Sequence, residues 1–270
     1  MKEFIEEIKN DPRFIDRSGF IIRNELHQSF WIVEDKIKPA IRDRIIEIVQ
    51  DFIDGLDKNI TIKDITMTGS LANYNWSQYS DIDVHIIVDF NEVDENTDLV
   101  RDFFNAKKSA WNQVHDIRIV GFEVEIYIQD ENEPHVSTGV YSLTSDEWLD
   151  KPTKEEADID WNDVGKKANS LMDQIDRVYN LHRDGKDKEA YNYASKLKEK
   201  IKRFRRAGLE RVGHYSGEII AFKVLRRNGY MGKLISLKTT IYDKMMSING
   251  ESVKIKISEC VENWKQYLKD

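Results

Sequence analysis

The chain has 270 residues, 40% hydrophobic and 33% charged, with a formal net charge of −8; this suits one large or two small folded domains and excludes a disordered chain. Its single cysteine, Cys260, excludes an internal disulfide and suggests no zinc site, so a reducing cytoplasm is the simplest compartment. No apolar run is long enough to cross a bilayer and the acidic opening, residues 1–7, is unlike a signal peptide, so a soluble intracellular protein without membrane partners is expected.

Residues 1–58 read mainly as helical. The clearest amphipathic pattern spans residues 37–56, where Ile41, Ile45, Ile46, Ile48, Val49, Phe52 and Ile53 recur at helical spacing. Residues 60–67 are apolar-rich and read as a strand, with alternation interrupted at Lys63 and Asp64. Gly69-Ser70 follows at once. A Gly-Ser turn leaving a strand can aim backbone N–H groups at one point, and a helical turn over Leu71, Ala72 and Asn73 would add its dipole, a combination suited to gripping the outer phosphates of a nucleotide.

Ten residues later comes Ser80-Asp81-Ile82-Asp83-Val84-His85-Ile86-Ile87-Val88. A period of two puts Ile82, Val84, Ile86 and Val88 on one face of a strand and Asp81, Asp83 and His85 on the other. Carboxylates held side by side repel, and a bound divalent cation lets both stay charged. Magnesium prefers oxygen ligands, takes few from protein, and completes its shell with water and substrate phosphate. His85 continues this face, where a partly buried structural histidine is the alternative to a ligand or base.

Gly69-Ser70 followed by Ser80-Asp81-Ile82-Asp83 on a strand resembles the signature of the DNA polymerase β-like nucleotidyltransferase superfamily. The resemblance implies a mixed β-sheet flanked by helices, a nucleoside triphosphate donor, two divalent metal ions (Mg2+ or Mn2+), and Gly69, Ser70 and Ser80 at the nucleotide. It also implies a third acid on a later neighbouring strand. Past an expected helix at residues 98–111, residues 116–128 read as a hairpin broken by Gly121, with Phe122, Val124, Ile126 and Ile128 on one face and Glu123, Glu125 and Tyr127 on the other. Glu125, in the middle of the apolar run where family members place the third acid, is preferred over Glu123, which lies nearer the turn. Many members use Asp here; Glu reaches one methylene further.

Residues 130–142 form a polar loop with a strand-like exit, where His135, Ser137 or Tyr141 could line a substrate. Tyr141 is a candidate to stack on a base, with anchoring of the loop to the core as the alternative. Lys151-Pro152 and the acidic residues 155–160 mark a boundary, giving an α+β catalytic domain over residues 1–152 and a C-terminal helical bundle domain over 153–270. Residues 164–182, 187–212, 217–227 and 231–246 read as four helices, with a last amphipathic piece at 253–268.

Charge is divided along the chain. Between Lys196 and Lys238 stand 13 Lys and Arg against 3 Glu, a balance of +10 that leaves −18 for the remainder. Leu197, Ile201 and Phe204 make an apolar stripe and the cations cover the other sides. Lys198 and Lys202 are candidates to bind the triphosphate tail or an anionic acceptor such as nucleic acid; a solvated helix face is the alternative.

The expected activity is transfer of a nucleoside monophosphate from an NTP, ATP being favoured by abundance, to a hydroxyl-bearing acceptor, with Asp81, Asp83 and Glu125 holding the metals and pyrophosphate released. The acceptor, whether RNA, protein or small molecule, stays open. Alternatives are alarmone-like transfer of pyrophosphate, an inactive nucleotide-binding member of the same fold, and a sugar-nucleotide enzyme using Asp-x-Asp, which leaves Gly69-Ser70 without a task.

Overall fold

The computed structural model describes residue 13 and residues 15–32, 36–56, 60–135, 137–154 and 158–248. They fall into two units, one drawn from residues 16–154 and the other from 158–248 together with Arg13 and Ile15. The amphipathic piece at 253–268 and Cys260 lie outside the described residues.

The first unit departs from the sequence reading at its start. Residues 16–38, expected to be mainly helical, form a 3-10 turn (Arg17–Phe20) and two short antiparallel strands, β1 (Trp31–Ile32) and β2 (Lys36–Ile37). Long-range aromatic packing decides this: Trp31 is buried, stacks on Trp148 at 4.5 Å, and its indole N–H donates to the carbonyl of Leu71 at 2.8 Å. Helix α1 (Pro39–Asp54) then starts with proline in its first turn, where a missing N–H costs nothing. It buries Ile41, Ile45, Ile48, Val49 and Phe52.

Strands β3 (Ile62–Thr68) and β4 (Ile82–Val88) pair antiparallel, and the interrupted alternation at Lys63 and Asp64 coincides with a register irregularity there. A short helix α2 (Phe90–Val93) and the longer α3 (Thr97–Val114) follow, then the hairpin of β5 (Arg118–Ile119) and β6 (Phe122–Asp130), then β7 (Val140–Ser142) and β8 (Glu147–Asp150). The sheet order is β5-β6-β4-β3-β7-β8, with β4 and β6 parallel and every other pair antiparallel. This is a mixed α+β fold.

One face of β4 and β6 supplies Ile82, Val84, Ile86, Val88, Val124 and Ile126 to a continuous core with the buried side of α1 and with Val100 and Phe104 of α3. Each such side chain contributes about 1.5–3 kcal/mol relative to exposure. The other face, carrying Asp83, His85, Glu125 and Tyr127, is left polar. Because β5 covers only Phe122 and Glu123, the edge of β6 beyond them is closed by α3: the Asn112 amide donates to the Ile126 carbonyl at 3.0 Å and accepts its N–H at 3.1 Å. That clamp sits next to Glu125.

The described residues of the second unit form four helices, α4 (Trp161–Arg183), α5 (Asp187–Val212), α6 (Gly217–Arg227) and α7 (Tyr230–Met246), close to the spans expected from helical spacing. Asp160 caps α4 by accepting the N–H groups of Asn162 and Asp163, and Ser216 caps α6 by accepting that of Ile219. Val164, Ala168, Leu171, Met172 and Ile175 of α4 are buried with Ala190, Ala194, Leu197 and Ile201 of α5. Arg13 belongs to this unit through its ion pair with Asp173 at 2.8 Å. Among the described residues, no helix is long and apolar enough to cross a membrane.

Candidate active site

The parallel pairing of β4 and β6 sets Asp83 directly beside Glu125. Both side chains rise from the polar face, and Asp81 stands one residue before β4 begins. One ligand oxygen from each of Asp81, Asp83 and Glu125 lies within 4.8 Å of the others, and all three residues are half-buried. The donor set is three hard carboxylate oxygens, which fits a small oxygen-seeking divalent cation. Glu123 lies elsewhere: it pairs with Arg118 across the hairpin, and the Arg118 guanidinium approaches its carboxylate at 3.5 Å.

The turn after β3 closes on this group. Gly69 has φ +75° and ψ −161°, a conformation essentially reserved for glycine. A Cβ there would stand 1.8 Å from Asp83 Oδ2, so only glycine lets the turn pass against the carboxylate. Ser70 to Ala72 make a single 3-10 turn, as the sequence suggests. The Ser70 hydroxyl donates to Ser80 Oγ at 2.7 Å, and Ser80 Oγ also accepts the Ser77 N–H at 3.0 Å. Ser80 therefore ties the loop preceding Asp81 to the glycine turn.

Sequence reasoning left Tyr127 and Lys108 without a task. The Tyr127 hydroxyl donates a short hydrogen bond to Glu125 Oε2. Burial first, then that bond and the Glu125 charge, push the phenol well above its ordinary value, so it stays a donor. His85 stacks on the Tyr127 ring at 5.1 Å and its Nδ1 is bonded to Gln129 Oε1 at 2.8 Å. Burial lowers the imidazole, opposed by the Gln129 bond, which makes His85 a neutral support for the ring. Gln129 is in turn fixed by donating to the Glu133 carbonyl at 3.1 Å. Lys108 of α3 holds its ammonium 4.5 Å from the Tyr127 ring centroid; burial lowers it and the Glu125 charge opposes that. The shared face of Glu125 and Tyr127 was readable from a period of two, whereas nothing local marks Lys108.

Tyr141 is part of the core. It is fully buried, edge-on to Trp31 and Trp148 at 5.0 Å each, and its hydroxyl donates to Asp146 at 2.7 Å. Base stacking is thereby replaced by the anchoring alternative, since no ring face is open. Ser137 donates to the Gly139 carbonyl at 2.9 Å, and His135 is exposed. Lys198 and Lys202 are exposed on α5, in the helical unit.

The polar face thus gathers three carboxylates, a glycine-serine turn and a fixed tyrosine on one mixed sheet. Residues 42–144 match the nucleotidyltransferase domain family. The matched range runs from the first turn of α1 to just beyond β7, in keeping with the DNA polymerase β-like superfamily, and takes in the glycine turn, the Asp pair and Glu125. No curated protein and no solved structure matches the chain. A nucleotidyltransferase domain implies a nucleotide substrate, and its family typically uses divalent metal ions.

Proposed function

We propose that the protein is a metal-dependent nucleotidyltransferase that moves a nucleoside monophosphate from an NTP, with ATP the favoured donor, to a hydroxyl-bearing acceptor and releases pyrophosphate. The observation that carries this reading is the meeting of Asp81, Asp83 and Glu125 oxygens within 4.8 Å of one another, beside a turn whose glycine must touch Asp83. The lone Cys260 is in keeping with work in the cytoplasm.

Asp81, Asp83 and Glu125 would hold one or two Mg2+ or Mn2+ ions, and such ions, when bound, neutralise the triphosphate and favour in-line displacement at its α-phosphorus. The chain's own residues do the positioning. The backbone N–H groups at Gly69 to Leu71 and the Ser70 hydroxyl would hold the triphosphate tail, while Ser80 keeps that turn and the Asp pair in register. Glu125, held by Tyr127, takes the proton of the acceptor hydroxyl as its oxygen bonds to the α-phosphorus. The bond from that phosphorus to the α–β bridging oxygen breaks, and pyrophosphate leaves with the electron pair. Positioning and charge neutralisation supply most of the acceleration.

The test is to incubate the protein with ATP labelled at the α- or the γ-phosphate, with Mg2+ or Mn2+ and a cell extract divided into RNA, protein and metabolites. This reading expects α-label to become attached to one fraction while γ-label appears as pyrophosphate, and Asp83→Asn to lose transfer. Retention of γ-label in the product would mean alarmone-like pyrophosphate transfer. Metal- and ATP-dependent stabilisation without any transfer would mean a binding protein.

A further inference from the structure

We propose that the outer face of α5 docks the phosphate backbone of a nucleic-acid strand. Within residues 196–206 this helix carries Lys196, Lys198, Lys200, Lys202, Arg203, Arg205 and Arg206, all exposed, against one acid, Glu199. The helix's apolar stripe, including Ala194, Leu197 and Ile201, is buried, so the cations occupy the remaining, outward arc. Lys198, Lys202 and Arg206 recur every four residues and therefore stand about 6 Å apart along the axis on one slowly turning row.

What separates this arc from an ordinary solvated face is the use made of acids in the same unit. Asp163 and Glu218 hold Lys167, Glu218 also holds Arg211, Asp176 holds Lys233, and Asp187 holds Lys244. Within the described residues 196–206 only Arg206 has such a partner, Glu210 at 3.3 Å; Lys200 donates to Gln174 and Arg205 lies over the Phe222 ring. Lys196, Lys198, Lys202 and Arg203 have no ion-pair or hydrogen-bond partner among the described residues. The positive field extends to the start of α6, where burial together with Lys223 and Arg205 pushes His214 down. A chain of net charge −8 that concentrates +10 in residues 196–238 presents a surface complementary to a polyanion, and a row of regularly spaced cations suits a regularly spaced string of phosphates.

The experiment measures binding of the full chain to a fluorescein-labelled 20-nucleotide RNA, and to DNA of the same sequence, from 50 to 300 mM KCl without nucleotide or divalent metal. Polyglutamate of matched charge serves as competitor, and the exposed triple variant Lys198→Ala, Lys202→Ala, Arg203→Ala is measured in parallel. Expected are binding of RNA or DNA whose log affinity falls with log salt with a slope of about 2 to 3, from three or four phosphate contacts on a single strand, and at least a tenfold loss in the triple variant. No strand binding at 50 mM KCl, a smaller loss in a folded triple variant, or equal displacement by polyglutamate overturns the proposal; the wild-type salt slope stands independently of the variant's folding. Asp83→Asn is expected to bind the strand like the wild type, so failure of the transfer reading and failure of this one are read separately.

Discussion

Gly69 and Asp83 touch so closely that a Cβ on the first would stand 1.8 Å from Oδ2 of the second. The turn and the carboxylate therefore form one mechanical piece, since moving either displaces the other. Gly69→Ala meets both the clash and a backbone conformation that side chains resist. The expected cost is about 1–3 kcal/mol of stability and a loss of transfer on the order of 100-fold or more, because a misplacement near 1 Å is enough for that. Thermal unfolding and initial rates of α-label transfer check the two separately.

The Tyr127 hydroxyl and Glu125 make a second such relationship. Tyr127→Phe keeps the ring that His85 stacks on and removes only the donor. A hydrogen bond to a charged group is worth about 1.5 kcal/mol at the low end, which corresponds to roughly tenfold in rate. We expect kcat to fall by about that factor with the NTP KM little changed, whereas a large rise in KM alone would remove Tyr127 from the positioning of Glu125.

In the helical unit, Glu218 is the acid with most at stake. Its side chain is 12% exposed and accepts from Lys167 and Arg211 at 2.9 Å. Burial acts to raise its pKa, but the hydrogen bonds from Lys167, from its own backbone N–H and from Arg211, with the Lys167 charge, prevail, and it lies below the ordinary 4.5. A depressed carboxylate stabilises the fold above the unfolded value, so this contribution is intact above about pH 4.5 and is lost as pH falls through the lower folded value. Glu218→Gln should cost about 2 kcal/mol at neutral pH and flatten the acid side of the stability profile, measured by denaturant unfolding between pH 3 and 7.

Gly208 of α5 packs against the same corner. A Cβ there would stand 2.6 Å from Glu218 Cβ and 2.6 Å from Ser216 Oγ. Although alanine is the better helix former, Gly208→Ala should destabilise by about 1–3 kcal/mol through overpacking. A raised Tm would contradict the close approach.

The legible parts were those governed by local period. Alternation in residues 82–88 and 122–128 was enough to put Asp83 and Glu125 on polar faces, and parallel pairing of those two strands then brought them side by side. Helical spacing and bounding glycines gave the four C-terminal helices to within a few residues. Residues 16–38 depart from the helical expectation because Trp31 takes its structure from Trp148 and Leu71, far along the chain. The same holds for Tyr141: its loop context in the sequence is polar, and only the fold sets it edge-on against the stacked pair Trp31 and Trp148 and beside Asp146. Lys108 reaches the polar face only because α3 runs along the open edge of β6, which no spacing rule announces.

The most direct test of the account is a Mn2+ titration, read by electron paramagnetic resonance, of the wild type and of Asp83→Asn with a non-hydrolysable ATP analogue, alongside thermal unfolding. The account expects the wild type to bind Mn2+ and to gain about 1.4 kcal/mol of stability when free metal exceeds its Kd tenfold, and Asp83→Asn to fold normally but lose most of both responses. Undiminished Mn2+ binding in folded Asp83→Asn, or none in the wild type, would contradict a metal centre built on Asp81, Asp83 and Glu125.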